Sequence, residues 1–227
     1  MTSVSSGLQA LDQSRTVSVQ EHIRFVTDDL MTSLPPADQL SAEERRGIIA
    51  RYSAVLEGNF IYWMTGAYLS VRTQEAKSII LDNLHEEVRD CHPGMLRKFA
   101  MAAQAAPGES DALAVYQNLS NVRLFIGRLS PVPILAMMAF FEGFIQRFMA
   151  FLADVARRQG SVEQEYTDVH GVCDIAHTQG LLQALEAERA LACDSGEPVD
   201  DLFEGVDLLR TLIQNIVASP KSSRARQ

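Results

Sequence analysis

Almost every long segment of this chain spaces its apolar residues with a helical period, and the β-branched alternation that marks strands never lasts more than a few residues. The pattern predicts an all-α fold, with helices over 17–33, 42–57, 58–71, 74–90, 93–106, 109–127, 132–158, 162–193 and 200–218. The breaks have chemical causes. Ser33-Leu34-Pro35-Pro36 cannot continue a helix, and Ser41 followed three residues later by Glu44 reads as a capping box. Thr73 precedes a periodic run, Pro107-Gly108 ends one, Ser130-Pro131 opens the most apolar one, and Gly160-Ser161 separates it from the next. Residues 1–15 and 219–227 are polar and aperiodic and are expected to be mobile, leaving 16–218 as one domain.

Composition narrows the function classes. With 47% apolar and 22% charged residues among 227, the chain can bury a core without staples. A net charge of −9, with no Lys/Arg-rich run before the last few residues, gives no footprint for nucleic acid or an anionic membrane surface. Cys91, Cys173 and Cys193 are widely spaced and form no CxxC, which suggests free thiols in a reducing compartment and a cytoplasmic protein. No signal-like apolar stretch occurs in residues 1–21, and the apolar run Pro131–Phe141 meets Glu142 before reaching the length of a bilayer span.

The chemistry is concentrated in three helices. In Tyr166-Thr-Asp-Val-His170-Gly-Val-Cys-Asp174-Ile-Ala-His177, the groups His170, Asp174 and His177 lie at 0°, about +40° and about −20° on a helical wheel, so all three project from one stripe. The stripe continues through Tyr166, Leu181 and Ala184, residues suited to a core. A solvated face with two surface histidines is the alternative, but a buried His-Asp-His stripe calls for a metal ion to balance it. Glu142 has Leu135, Met138, Ala139, Ile145 and Met149 as its helical neighbours and is therefore expected to point inward, where a carboxylate needs a cation or a raised pKa.

The third helix carries Asn83-Leu84-His85-Glu86-Glu87, with His92-Pro93 just beyond it. Its core face is marked by Ala76, Ile80 and Leu84; Glu87 falls inside that face, Glu86 at its edge and His85 outside it. Glu87 is the better ligand candidate and Glu86 its alternative. His92 is placed at a helix break or helix start by the proline that follows. The run is no zincin helix, because Arg89 stands where HExxH needs histidine.

The inward set is thus Glu87, His92, Glu142, His170, Asp174 and His177. Three carboxylates with three imidazoles suit iron, with manganese as the alternative, better than structural zinc, and six donors are too many for one ion that keeps an open position. A dinuclear iron site with a bridging carboxylate fits best. The Glu-x-x-His di-iron frame of four-helix bundles is disfavoured because that motif is absent.

From Tyr62-Trp63 through Asn83-Leu84-His85-Glu86-Glu87 and His92-Pro93 to Glu142 and His170-xxx-Asp174-xx-His177, the chain resembles the haem-oxygenase-like di-iron oxidases and N-oxygenases, over roughly residues 50 to 190. The resemblance implies a haem-oxygenase-like bundle of about seven core helices without haem, and two irons held by those six residues. It also implies O2 as co-substrate, with electrons from an external reductant. Oxidation of a small aliphatic L-amino acid, by C–H abstraction giving an alkene or a C–N ring in natural-product biosynthesis, is the activity expected. An N-oxygenase or a fatty-acid-decarboxylating oxidase of the same family is the alternative, and a metal-free binding protein similar to the thiamin-scavenging relatives is the rival from another class. Cys173 is read as core packing rather than as the catalytic cysteine of such a relative.

Positions one turn from the expected ligands, chiefly Asn83, Gln146 and Tyr166 among Met138, Met149 and Ile80, describe a small and mostly apolar substrate pocket. Arg72, Arg123 and Arg147 are the helix arginines near the level where a substrate carboxylate would sit, but Arg147 faces outward on the wheel and no carboxylate clamp is assigned. The last helix, with Phe203, Val206, Leu209, Ile213 and Ile216 on one side, closes its own bundle in the preferred reading; a second copy of the chain is the other partner such a face could meet.

Overall fold

The computed structural model describes residues 5–196 and 201–218, with side chains from Val19 onward. Nine helices account for the regular structure there: α1 (Ser5–Ser33), α2 (Ala42–Leu56), α3 (Asn59–Ser70), α4 (Gln74–Arg89), α5 (His92–Ala102), α6 (Glu109–Ile126), α7 (Pro131–Arg158), α8 (Glu165–Ser195) and α9 (Glu204–Val217). No strand occurs among the described residues, so the class is all-α as the periodicity predicts.

The boundaries follow local chemistry. Ser41 closes the predicted capping box on α2: its hydroxyl accepts the Glu44 N–H at 3.2 Å while the Glu44 carboxylate accepts the Ser41 N–H at 2.8 Å. Thr73 caps α4 through the Ala76 N–H, and Gly58, at φ +83°, turns the chain between α2 and α3. The helical backbone of α1 starts at Ser5, well before the periodic segment at 17. Residues 1–4 and 219–227, where mobility was expected, lie outside the described residues. α8 starts at Glu165 rather than 162, and α9 at Glu204 rather than 200.

α7 is the hub. Its 28 residues bury most of their surface, and it packs most extensively against α8, with further contacts to α1, α2, α3 and α9. By length and apolar composition alone it could cross a bilayer, contrary to the short-segment reading, but 72% of its most apolar window is buried inside this bundle. α4 and α5 lie against α8, so the four helices carrying the expected ligands are neighbours. At Gly180 a Cβ would come within 3.0 Å of the Ile79 side chain, so the absent side chain lets α4 and α8 approach closely. Glu188 of α8, fully buried, accepts the backbone N–H groups of Arg72 (2.8 Å) and Thr73 (2.6 Å), docking the start of α4. The apolar side of α9 is consumed within the chain: Val206, Leu209, Ile213 and Ile216 are buried, and the buried Arg51 donates to the carbonyls of Ile216 and Ala218 at its end.

Candidate metal centre

All six expected ligands are buried, each with at most 7% of its surface exposed, and they converge between α4, α5, α7 and α8. They form two groups. In the first, donor atoms of Glu87, His92 and His170 lie within 4.8 Å of one another. This group depends on a turn that no local rule predicts: Cys91 adopts a left-handed φ of 57°, and the chain reverses so that His92, the first residue of α5, meets Glu87 at 2.7 Å through Nδ1. His170 donates its Nδ1 proton to the Tyr166 carbonyl one turn earlier, at 2.8 Å. A carbonyl only accepts, so the bond fixes the tautomer and leaves Nε2 of His170 available as a ligand.

In the second group, Nδ1 of His177 lies 3.9 Å from both Glu142 Oε1 and Asp174 Oδ1, and its Nε2 donates to Glu86 Oε2 at 2.8 Å. The two candidates on α4 part in space: Glu87 turns to the first group and Glu86 to the second. The wheel placed Glu86 at the margin of the core face, but its reach to a histidine 91 residues away is a property of packing, not of sequence. Cys173 is corrected from core packing. It is half-buried and its thiol donates to Asp174 Oδ1 at 3.2 Å, within 4.8 Å of the His177 ligand atom as well.

Electrostatics single out this cluster. Burial pushes the Glu142 carboxyl well above the usual carboxylate range, and the charges of Asp174 and Glu87 push it further. Burial likewise raises Asp174 to about 7 against some relief from the Cys173 thiol, and lowers His170 to about 4. Burial opposes protonation of His92, but the Glu87 hydrogen bond and charge outweigh it and raise that imidazole. Among the described residues, Glu142 Oε1, Asp174 Oδ2 and His177 Nδ1 are buried without any hydrogen-bond partner. Three orphaned acceptor atoms in one place cost several kcal/mol unless a cation satisfies them. The residues therefore fit metal ions, and the hard carboxylate and imidazole donors fit iron or manganese.

A small cavity of about 30 Å³, partly open to solvent, reaches this cluster. Its wall combines the polar Glu87, His92, Glu142, His170 and Asp174 with the apolar Leu56, Phe60, Ile61, Leu96, Phe141 and Ile145, and with Tyr52, Pro93 and Tyr166. Of the three expected substrate contacts only Tyr166 lines it. Gln146 is corrected: the cavity opens on the Phe141, Glu142 and Ile145 side of α7, and Gln146 sits roughly 90° away from the centre of that side. Asn83 is buried one turn below Glu87, away from the cavity, with its amide nitrogen unpartnered. Met138, Met149 and Ile80 are core residues outside the wall.

None of the arginines considered as a carboxylate clamp lines the cavity. Arg147 pairs with Asp28 at the surface, Arg123 donates to Asn59, and Arg72 lies at the start of α4. His85 is exposed, as its place outside the core face of α4 predicts, and His22 is half-buried and packs on Phe203 with ring centroids 3.9 Å apart. Sequence reasoning missed Tyr52. It is fully buried, and its hydroxyl lies 2.8 Å from that of Tyr166. Burial raises the pKa of both phenols, so both keep their protons. No signal on α2 alone could have found it.

No curated protein matches the sequence. A family model described as iron-containing redox enzyme matches residues 21–205, which span α4, α5, α7 and all six buried donors. The chain belongs to this haem-oxygenase-like family of iron-containing redox enzymes.

Proposed function

We propose that the protein is a non-haem, O2-dependent di-iron oxidase that acts on a C–H bond of a small aliphatic substrate, with an aliphatic L-amino acid as first candidate. The observation carrying this reading is the convergence of Glu87, His92, Glu142, His170, Asp174 and His177 from four helices, with three of their buried atoms left without protein partners. Glu87, His92 and His170 would hold one iron and Asp174 and His177 the other, with Glu142 facing the second group and lining the cavity. When bound, the two irons supply O2 binding and its reduction.

The chain's own residues supply position and exclusion. Leu56, Phe60, Ile61, Leu96, Phe141 and Ile145 give the aliphatic part an apolar wall, and a substrate seated there would displace water from the centre. Tyr52 and Tyr166 share one hydrogen bond between two hydroxyls, so one O–H hydrogen stays free to donate to a substrate oxygen. The Tyr166 carbonyl and Glu86 orient His170 and His177. Reduction of O2 to two waters takes four electrons. Two come from the substrate when it loses two hydrogens to give an alkene or a C–N ring, and two come from an external reductant.

A second reading within the family is an aliphatic monocarboxylic acid. It is favoured by the absence of Arg and Lys from the cavity wall among the described residues, which leaves the tyrosine O–H and the metal centre to meet a single carboxylate. Iron-loaded protein incubated aerobically with reductant and with Leu, Ile, Val and a series of medium-chain fatty acids separates the two. Substrate-dependent O2 uptake and a product two hydrogens lighter from an amino acid support the first, and loss of CO2 from a fatty acid supports the second. No O2 uptake with any aliphatic substrate contradicts both.

A further inference from the structure

We infer that Glu86 is a positioning residue for the second half of the centre, holding His177 in the tautomer and orientation that bind metal, and that the two halves consequently load with unequal affinity. The inference rests on the two-iron reading and goes beyond it. His177 Nε2 donates to Glu86 Oε2 at 2.8 Å, so the ring presents unprotonated Nδ1 toward Glu142 and Asp174, each 3.9 Å away. That Nδ1 is buried without a partner, as are Glu142 Oε1 and Asp174 Oδ2, so the donors of this half already face one another. The contact that joins Glu86 to the second half is the bond to His177.

The three histidines are held by different means. His170 is tethered to a carbonyl of its own helix, four residues earlier, and His92 to a carboxylate that is 7% exposed. His177 is tethered to a carboxylate on another helix that keeps 42% of its side chain in water. Water competes for that carboxylate, and the bond exists only while α4 lies against α8. Adjacent residues of α4 thus serve different halves: Glu87 enters the first group directly, and Glu86 reaches the second through His177. The half that depends on the solvent-reachable tether is the weaker one.

The test is anaerobic titration of the metal-free full chain with Fe(II), reading iron per chain and the affinity of each step, for the parent, Glu86→Ala and Glu86→Gln. The partly exposed position makes both variants compatible with the fold, which circular dichroism of the metal-free proteins checks. The parent should bind two irons in separable steps. Glu86→Ala should weaken the second step about 10- to 100-fold and leave the first unchanged, the range seen when a ligand's hydrogen-bond partner is removed. Glu86→Gln, whose amide oxygen still accepts the Nε2 proton, should stay within a few-fold of the parent. An unchanged second step in Glu86→Ala would overturn the inference, and so would equal loss in both variants, which would make Glu86 a direct ligand. A parent that binds no iron would instead overturn the two-iron reading, and is recognised without any variant.

Discussion

Replacing Asp174 with Asn should change how the stability of the metal-free protein depends on pH. Asp174 is buried in the folded state with a pKa of about 7, against an ordinary value of 3.8, because burial and the Glu87 charge penalise its ionised form. A folded-state pKa raised in this way holds the proton more tightly in the native protein. Its stabilising contribution is full below about pH 3.8 and is lost as pH rises through about 7. At about 1.36 kcal/mol per unit, the loss between pH 4.5 and pH 7.5 is about 3 kcal/mol. Asn keeps the shape and can still accept the Cys173 thiol proton, but it does not titrate. His170, lowered to about 4, acts in the opposite sense, losing stability as pH falls below its ordinary 6.5, and it does so in both proteins. Urea unfolding of chelator-treated parent and Asp174→Asn at pH 4.5 and 7.5 isolates the carboxyl: the variant should gain about 3 kcal/mol relative to the parent across that interval. Parallel pH profiles would refute the reasoning, showing Asp174 ionised and compensated in the metal-free fold.

Iron loading should release more than one proton per chain at pH 6.5 and fewer at pH 8.5, because Asp174, Glu142 and His92 all hold protons above their ordinary range before metal enters; titration calorimetry in two buffers of different ionisation enthalpy measures it. Glu188→Ala removes the acceptor of two partly buried N–H groups at the start of α4 and should cost about 1–3 kcal/mol in chemical denaturation, with weaker metal uptake because Glu86 and Glu87 ride on the same helix. Tyr52→Phe should cost about 1 kcal/mol of stability, leave iron content unchanged and raise KM for an oxygen-bearing substrate, as read from denaturation curves and steady-state kinetics.

The part of the centre that lies on one helix was legible in the sequence. His170, Asp174 and His177 share a stripe because helical geometry alone puts them there, and the inward aim of Glu142 follows from its apolar neighbours three, four and seven residues away. What was not legible depends on how helices meet. The pairing of Glu87 with His92 needs a left-handed residue at Cys91, a side chain with no special preference for that conformation. Glu86 reaches His177 and Tyr52 reaches Tyr166 across 91 and 114 residues, and neither end carries a local mark of the other. Gln146 and Asn83 were misplaced for the same reason: a helical wheel shows which face is buried, not which part of that face borders a cavity and which borders a neighbouring helix.

Iron stoichiometry tests the central claim most directly. Metal-free protein loaded with Fe(II) under anaerobic conditions and then freed of excess metal should retain two irons per chain in the parent, with a clear loss in His170→Ala and Glu142→Ala while both variants keep their helical content. A parent that retains no iron, or variants that retain as much as the parent, would contradict the account, because the six buried donors would then be holding something other than a pair of metal ions.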